Sequence, residues 1–378
     1  MIRRLWPLVL GAFALGLDAY VLAGLLPGMA GDLDTTQALA GLGVALFTAA
    51  YAVSAPALAF VAGRYSTRVA LLAGLALFSA GNVATMLAPS LLVLLAARLL
   101  AGVGAGLYSP LAASSAAGTV DADQRGRALA LVLAGLSVGT AFGVPMGLLV
   151  ENQFGWRWTI GLIVLLGLIA AAGVAARSSH FPVVSTVTWR ERWTALREPF
   201  TLATLGVTLW SGIASLGLYT YLAEVAAARG AAQATHAFIW VWGLGGMVGA
   251  LLIGRVIDRY LSPTRATLWL LFLLAAGFAL VGWGAPVGMG IGCFTWGLAG
   301  WASIAPQQHA LVSHKTTHAT ALIAWNSSIN YLGSAIGAAL GAAALIAHLS
   351  AQWLPAGAFG AVAVALVIHL TKTRYRCA

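Results

Sequence analysis

The chain has 378 residues, is 61% hydrophobic and only 8% charged, and carries a formal charge of +10. No globular core buries so much apolar surface, so an ordinary soluble protein is excluded and a polytopic membrane protein is implied. The positive balance does not point to nucleic acid, which requires basic residues gathered on one soluble face; here they are scattered between apolar runs.

A membrane span needs about 20 predominantly apolar residues. In chain order the sequence predicts twelve, at 5–27, 38–62, 69–88, 91–117, 128–150 and 158–176, then 200–226, 234–256, 265–284, 287–311, 319–346 and 351–370. The first opens like a signal peptide, but its apolar run continues through Asp18 to Ala30 without a clear cleavage site, so an uncleaved helix is expected. With both termini placed in the cytoplasm, every Lys and Arg falls inside except Arg157 and Arg229, which fall outside, and Arg98, which lies within span four. That asymmetry obeys the positive-inside rule and favours an even number of spans. The polar, basic connection 177–199 separates two six-span halves, 1–176 and 200–378. Its WRERW stretch, with Trp189 and Trp193, reads either as an interfacial helix or as a solvated linker.

The halves echo one another. Span five carries Gly135, Gly139, Gly143 and Gly147 at every fourth position, a smooth stripe on one helical face, and span eleven repeats it with Gly333, Gly337 and Gly341. The loop GRYSTR (63–68) after span two is matched by GRVIDRYLSPTR (254–265) after span eight. Two six-helix halves with a midplane site at their interface form a recurrent transporter plan.

On these features the chain resembles the major facilitator superfamily, and within it the twelve-span drug:proton antiporter branch, near bacterial sugar, nucleoside and chloramphenicol exporters. The resemblance runs the whole length and is carried by DAYVLAGLLPGMAGDL (18–33), RLLAGVGAG (98–106), GTAFGVPMGLLVENQFGWRW (139–158) and NSSINYLGSAIGAALG (326–341). It implies an all-α fold of two pseudo-symmetric six-helix bundles, an Arg98 concerned with proton transfer, and an export motif around Gly139, Gly143, Pro145 and Gly147. The motif departs from the family pattern at Val144 and Leu148. The cytoplasmic gate motif is damaged in the first half, where Ala59, Gly63 and Arg64 stand in its Gly, Asp and Arg positions and Arg68 follows. It is better kept in the second, with Gly254, Asp258 and Arg259.

Sorting the acidic residues by depth, at about 1.5 Å of rise per residue, leaves Asp18 alone deep within a span, about 20 Å from the cytoplasmic end. Glu151 and Glu224 fall at outer ends. Arg98, entering from the opposite side, reaches a similar depth. Intramembrane charges face a cavity or each other and mark ion pathways, so Asp18 and Arg98 are the candidates for proton coupling; the bland alternative is a fixed structural pair. Aromatic and amide side chains suit a planar amphiphile. The family's cavity-lining spans one, four, seven and ten supply Tyr20, Tyr108, Trp210, Tyr219 and Trp296, and span eleven adds Asn326 and Tyr331. Many aromatics must instead serve as packing or interfacial belts.

His314 and His318 form a helically spaced pair with His309 nearby, but no carboxylate or thiol accompanies them, so no metal is expected. With no phosphate loop and only Lys315 and Lys372 as lysines, the chain has no ATPase of its own. A zinc-dependent membrane enzyme would show an H-E-x-x-H helix, and none occurs in the sequence. The reading is therefore a monomeric, cofactor-free, proton-driven efflux transporter of drugs, sugars or nucleosides in the bacterial inner membrane. An uptake symporter or facilitator, or a non-transporting receptor or assembly factor, is the alternative.

Overall fold

A computed structural model describes residues 2–62, 65–121, 124–176, 196, 198–314 and 319–372. The structure is helical throughout the described spans. Twelve helices among these residues are long and apolar enough to cross a membrane: Arg4–Asp32, Gln37–Leu58, Thr67–Met86, Leu91–Gly118, Arg127–Phe154, Trp156–Ala175, Pro199–Thr220, Ala232–Arg259, Pro263–Trp283, Pro286–His314, Ala321–Ile346 and Ala351–Lys372. Lipid imposes this outcome, because each backbone polar group must find its partner inside its own segment.

The chain forms two compact units, Met1–Thr186 and Val187–Ala378. In the first, span four packs on two and three, span five and span six on one, and span six on three. In the second, span ten packs on eight and nine, span eleven and span twelve on seven, and span twelve on nine. The two sets of contacts correspond one for one.

The repeat extends to single residues. A Cβ on Gly135 would meet the Val9 carbonyl oxygen at 2.6 Å, and one on Gly139 the Phe13 oxygen at 2.1 Å. Gly333 and Gly337 stand in the same relation to Leu209 and Ile213, at 2.5 and 2.3 Å. Each stripe therefore lets two backbones touch where any side chain would hold them apart. The matched loops behave alike as well: Ser66 opens span three by accepting a hydrogen bond from the Val69 N–H, and Ser262 opens span nine by accepting from Arg265.

Spans five, seven and ten depart from a continuous α-helix within their length. Span five passes through a π turn, Gly139–Gly143, just before Pro145. Proline has no N–H to donate and crowds the carbonyl four residues back, so the loosened turn absorbs the mismatch. Span seven ends at Thr220, earlier than the expected 226; the chain turns at Tyr221, whose φ of −111° and ψ of 22° leave the helix, and a short helix Leu222–Ala228 follows. Tyr221 holds that turn by donating its hydroxyl to the Ala338 carbonyl at 2.8 Å. Span ten is interrupted between Ala302 and Ile304.

Candidate functional site

The Asp18 site is built by close helix approaches. A Cβ on Gly81 would lie 2.4 Å from the Ala101 nitrogen, so spans three and four touch backbone to backbone beside Asn82 and Arg98. Gly102 similarly abuts the Phe47 carbonyl, bringing span two against span four, and Gly43 leaves room for the Arg98 stem. These small residues let four helices converge on one polar cluster.

Within it, Arg98 Nη1 donates to Asp18 Oδ1 at 2.8 Å and to Asn82 Oδ1 at 3.2 Å. Asn82 Nδ2 donates to the other carboxylate oxygen, Oδ2, at 3.3 Å and to the Phe78 carbonyl at 3.1 Å. The guanidinium lies over the Phe47 ring, 4.4 Å from its centroid. Side-chain exposure is 1% for Arg98 and 0% for Asp18. The cluster is thus a charge-neutral pair bridged by one amide, with the Arg98 Nε–H buried and unpartnered. Chemically, it holds a carboxylate whose protonation would cancel one charge of the pair and leave the other in an apolar setting.

The sequence brought Asp18 and Arg98 to the same depth; the structure joins them. Asn82 was missed, because sorting carboxylates alone passes over a neutral amide, although an Asn in the middle of an apolar span is itself a signal. Tyr20 is half-buried and, two residues on, stands on a different face of span one from Asp18. Tyr108 is fully buried, and its hydroxyl reaches the carbonyls of Pro7 at 3.3 Å and Leu8 at 3.1 Å, in the space left by Gly11. Its place is a contact between spans one and four.

The second half holds two further groups. Tyr219 and Trp296 meet in an aromatic cluster with Trp242 and Phe278: Tyr219 is 4.2 Å from Trp242, and Trp296 is 5.4 Å from Phe278, between ring centroids. Trp296 Nε1 donates to Ser215 Oγ at 2.7 Å. Separately, Asn326 Nδ2 donates to Thr208 Oγ1 at 2.6 Å, and Thr208 in turn donates to Gln307 Oε1. This joins spans seven, ten and eleven through buried neutral groups. Trp210 and Tyr331 are half-buried. Thr208, Trp242 and Ser215 carried no sequence signal that separates them from ordinary packing residues.

At the helix ends, Arg68 donates to the Ala175 carbonyl, tying span three to the end of span six. Arg64, residues 177–195 of the linker with Trp189 and Trp193, and His318 lie outside the described residues. Asp258 and Arg259 are exposed, and a Cβ at Gly254 would meet nothing within 4 Å. His314 does meet a carboxylate, contrary to the sequence reading: Glu198, distant in sequence, places Oε2 3.1 Å from its Nε2, and the Phe200 ring stacks beside it. No group of three or more potential metal ligands forms among the described residues. Glu224, beyond the end of span seven, is partly buried, and that burial raises its pKa above the ordinary carboxylate value.

Comparison with known proteins decides the family. The Major Facilitator Superfamily profile matches residues 8–338. The chain belongs to that superfamily. Among curated relatives, the "Inner membrane transport protein YdhP" of Escherichia coli O157:H7 is 27% identical over 96% of this chain and 93% of its own length. The "Chloramphenicol resistance protein" of Streptomyces lividans is 31% identical over 74% of this chain and 71% of its own. Among solved structures, an inward-facing, occupied bacterial homologue of the human lysosomal transporter Spinster superposes with a TM-score of 0.74 at 14% identity, covering 98% of this chain and 96% of that one. This chain is accordingly a multi-pass membrane transporter of the superfamily rather than an enzyme.

Proposed function

We propose that this superfamily member is a proton-driven exporter of small amphiphilic molecules, working by alternating access in a bacterial cytoplasmic membrane with both termini inside. The observation that carries this reading is the Asp18–Arg98 pair, sealed from solvent inside the first half and bridged by Asn82. A charge in lipid is tolerated where it is paired, and such pairs mark ion pathways. A proton on Asp18 removes the negative partner, leaves Arg98 with Asn82 and the Phe47 face, and so loosens the contact between spans one and four. The proton gradient is then the energy source, and no cofactor is needed.

Export is supported by the glycine and proline pattern of span five and by the relative whose name records chloramphenicol resistance. Within the second half, the half-buried Trp210 and Tyr331 and the Asn326–Thr208–Gln307 group supply aromatic faces and hydrogen-bonding groups for an uncharged, partly polar substrate; the first half offers the half-buried Tyr20.

The test uses cells and proteoliposomes. A panel of toxic compounds, chloramphenicol included, is scored against cells expressing wild type or Asp18→Asn, and each hit is followed with a proton-flux assay under an imposed pH gradient. Wild type is expected to extrude the hit as protons enter, and Asp18→Asn to lose at least tenfold of the gradient-driven rate. Full gradient-driven export by Asp18→Asn would sink the coupling role, and inward movement of solute together with protons would replace export by symport.

A further inference from the structure

The second half carries an apolar groove that belongs to none of the groups above. It has a volume of about 210 Å³ and lies where spans eight, nine and ten meet, lined by Leu252, Ile253 and Val256 of span eight, Trp269 and Leu273 of span nine, and Leu298 of span ten among others. It is smaller than the roughly 300–1,000 Å³ of sites for drug-sized ligands, and it lacks the convergent polar groups that orient such ligands. Its rim is open on the outside of the half: Trp269 is 60% exposed, Leu252 48% and Leu273 39%. A membrane protein presents that kind of surface to acyl chains.

Charge gathers at one end of the groove. Residues three or four apart share a helix face, and the groove-lining stripes run directly into arginines. On span eight, Leu252 is followed by Arg255, and Leu252 and Val256 by Arg259; on span nine, Arg265 leads into Trp269 and then Leu273. All three arginines are exposed, at the end where span eight stops and span nine starts. Asp258, the sole carboxylate between residues 249 and 273, lies three residues from Arg255 on the side of span eight that runs through Leu251, so three arginines face one carboxylate at this end. An apolar slot thus ends in a cationic rim, with aromatic Trp269 and Tyr260 at the same end, as interfacial anchors are placed.

We propose that this groove is a binding site for an anionic phospholipid, one acyl chain lying along Leu252, Val256 and Leu273 and the phosphate held by Arg255, Arg259 and Arg265. Long basic side chains reach the headgroup level by laying their apolar stems along the slot, and juxtamembrane arginines attract anionic headgroups with a strength of about fivefold in affinity each. The site shares Arg259 with the second-half gate motif but uses neither Asp18 nor the polar groups of spans seven and eleven, and the variants below leave Arg259 in place.

The test takes the full chain, purified in detergent, and titrates it with phosphatidylglycerol or with phosphatidylcholine of identical acyl chains, reading retained lipid by native mass spectrometry and the thermal midpoint. Phosphatidylglycerol is expected to be retained preferentially and to raise the midpoint more. Arg255→Gln/Arg265→Gln is expected to weaken its retention about 25-fold without affecting phosphatidylcholine. Leu252→Trp, a substitution on the exposed rim that fills the slot, should reduce retention with all arginines intact. Equal retention of the two lipids by wild type would overturn the proposal. So would unchanged phosphatidylglycerol retention in both variants, or a dimer that Leu252→Trp dissolves, which would mean that a second copy covers the groove.

Discussion

Arg98 and Asp18 stand 80 residues apart in the chain and 2.8 Å apart in the fold, and neither reaches solvent. Burying such a pair gains little by itself, because desolvation offsets most of the Coulomb attraction; breaking it by removing one partner is costly. A purely structural pair and a coupling pair therefore differ in what a double variant does. Arg98→Leu alone is expected to cost about 3–5 kcal/mol, read as loss of folded protein after extraction, because Asp18 is left charged and buried. Asp18→Asn/Arg98→Leu should recover most of the yield and still fail in gradient-driven transport. Recovery of both would reduce the pair to a helix pin.

Asn82 offers a milder probe of the same cluster. Replacing it by Ala removes the donor to Asp18 Oδ2 and the acceptor for Arg98 Nη1 while leaving the charges in contact. A loss of about 1–3 kcal/mol is expected for the two groups left short of partners. The pH dependence of transport should shift relative to wild type, whereas an unchanged profile would place Asn82 outside the coupling step.

The glycine stripes predict opposite results at neighbouring positions. Gly139→Ala places a methyl 2.1 Å from the Phe13 carbonyl oxygen and Gly337→Ala one 2.3 Å from that of Ile213, so each should cost about 1–3 kcal/mol and lower the thermal midpoint. At Gly357 the same substitution meets nothing within 4 Å, and it should be neutral or slightly stabilising. Equal effects at all three would show that chain flexibility, not backbone approach, sets the glycine requirement.

Arg157 and Arg229, the two basic residues outside the positive-inside pattern, share a task. Arg157 donates to the Ala88 carbonyl just past span three, and Arg229 to the Gly282 and Gly284 carbonyls at the end of span nine. A cation there also complements the helix dipole. Arg229→Ala is expected to cost about 1–3 kcal/mol. Arg229→Lys should recover only part of it in a thermal-shift measurement, since one ammonium lacks the planar fork that spans two carbonyls.

Glu224 predicts a pH effect of definite sign. Its pKa is raised by burial, so the folded state holds the proton more tightly than the unfolded chain does. The folded state is therefore relatively favoured below the unfolded pKa, and that advantage is lost as pH rises through the raised value. Glu224→Gln should melt higher than wild type at pH 7, with the difference closing toward pH 4. A difference that grows on acidification would contradict the burial cause.

Much of this protein was legible in the chain. The number of spans, their approximate limits and the duplication followed from hydropathy and glycine spacing, because lipid forces each span to satisfy its own backbone and leaves length and apolarity as the chief local variables. The depth of Asp18 and Arg98 followed from counting residues, since helical rise is fixed. What the tertiary structure alone decided was partnership. Only packing could show that Gly81 and Ala101 bring Asn82 to the pair, that Tyr108 closes on span one, that Glu198 meets His314, and that Leu252, Trp269 and Leu298 line one groove. Those contacts join residues from different helices, and their geometry depends on the rotation and approach of each helix against its neighbours, which no single span encodes.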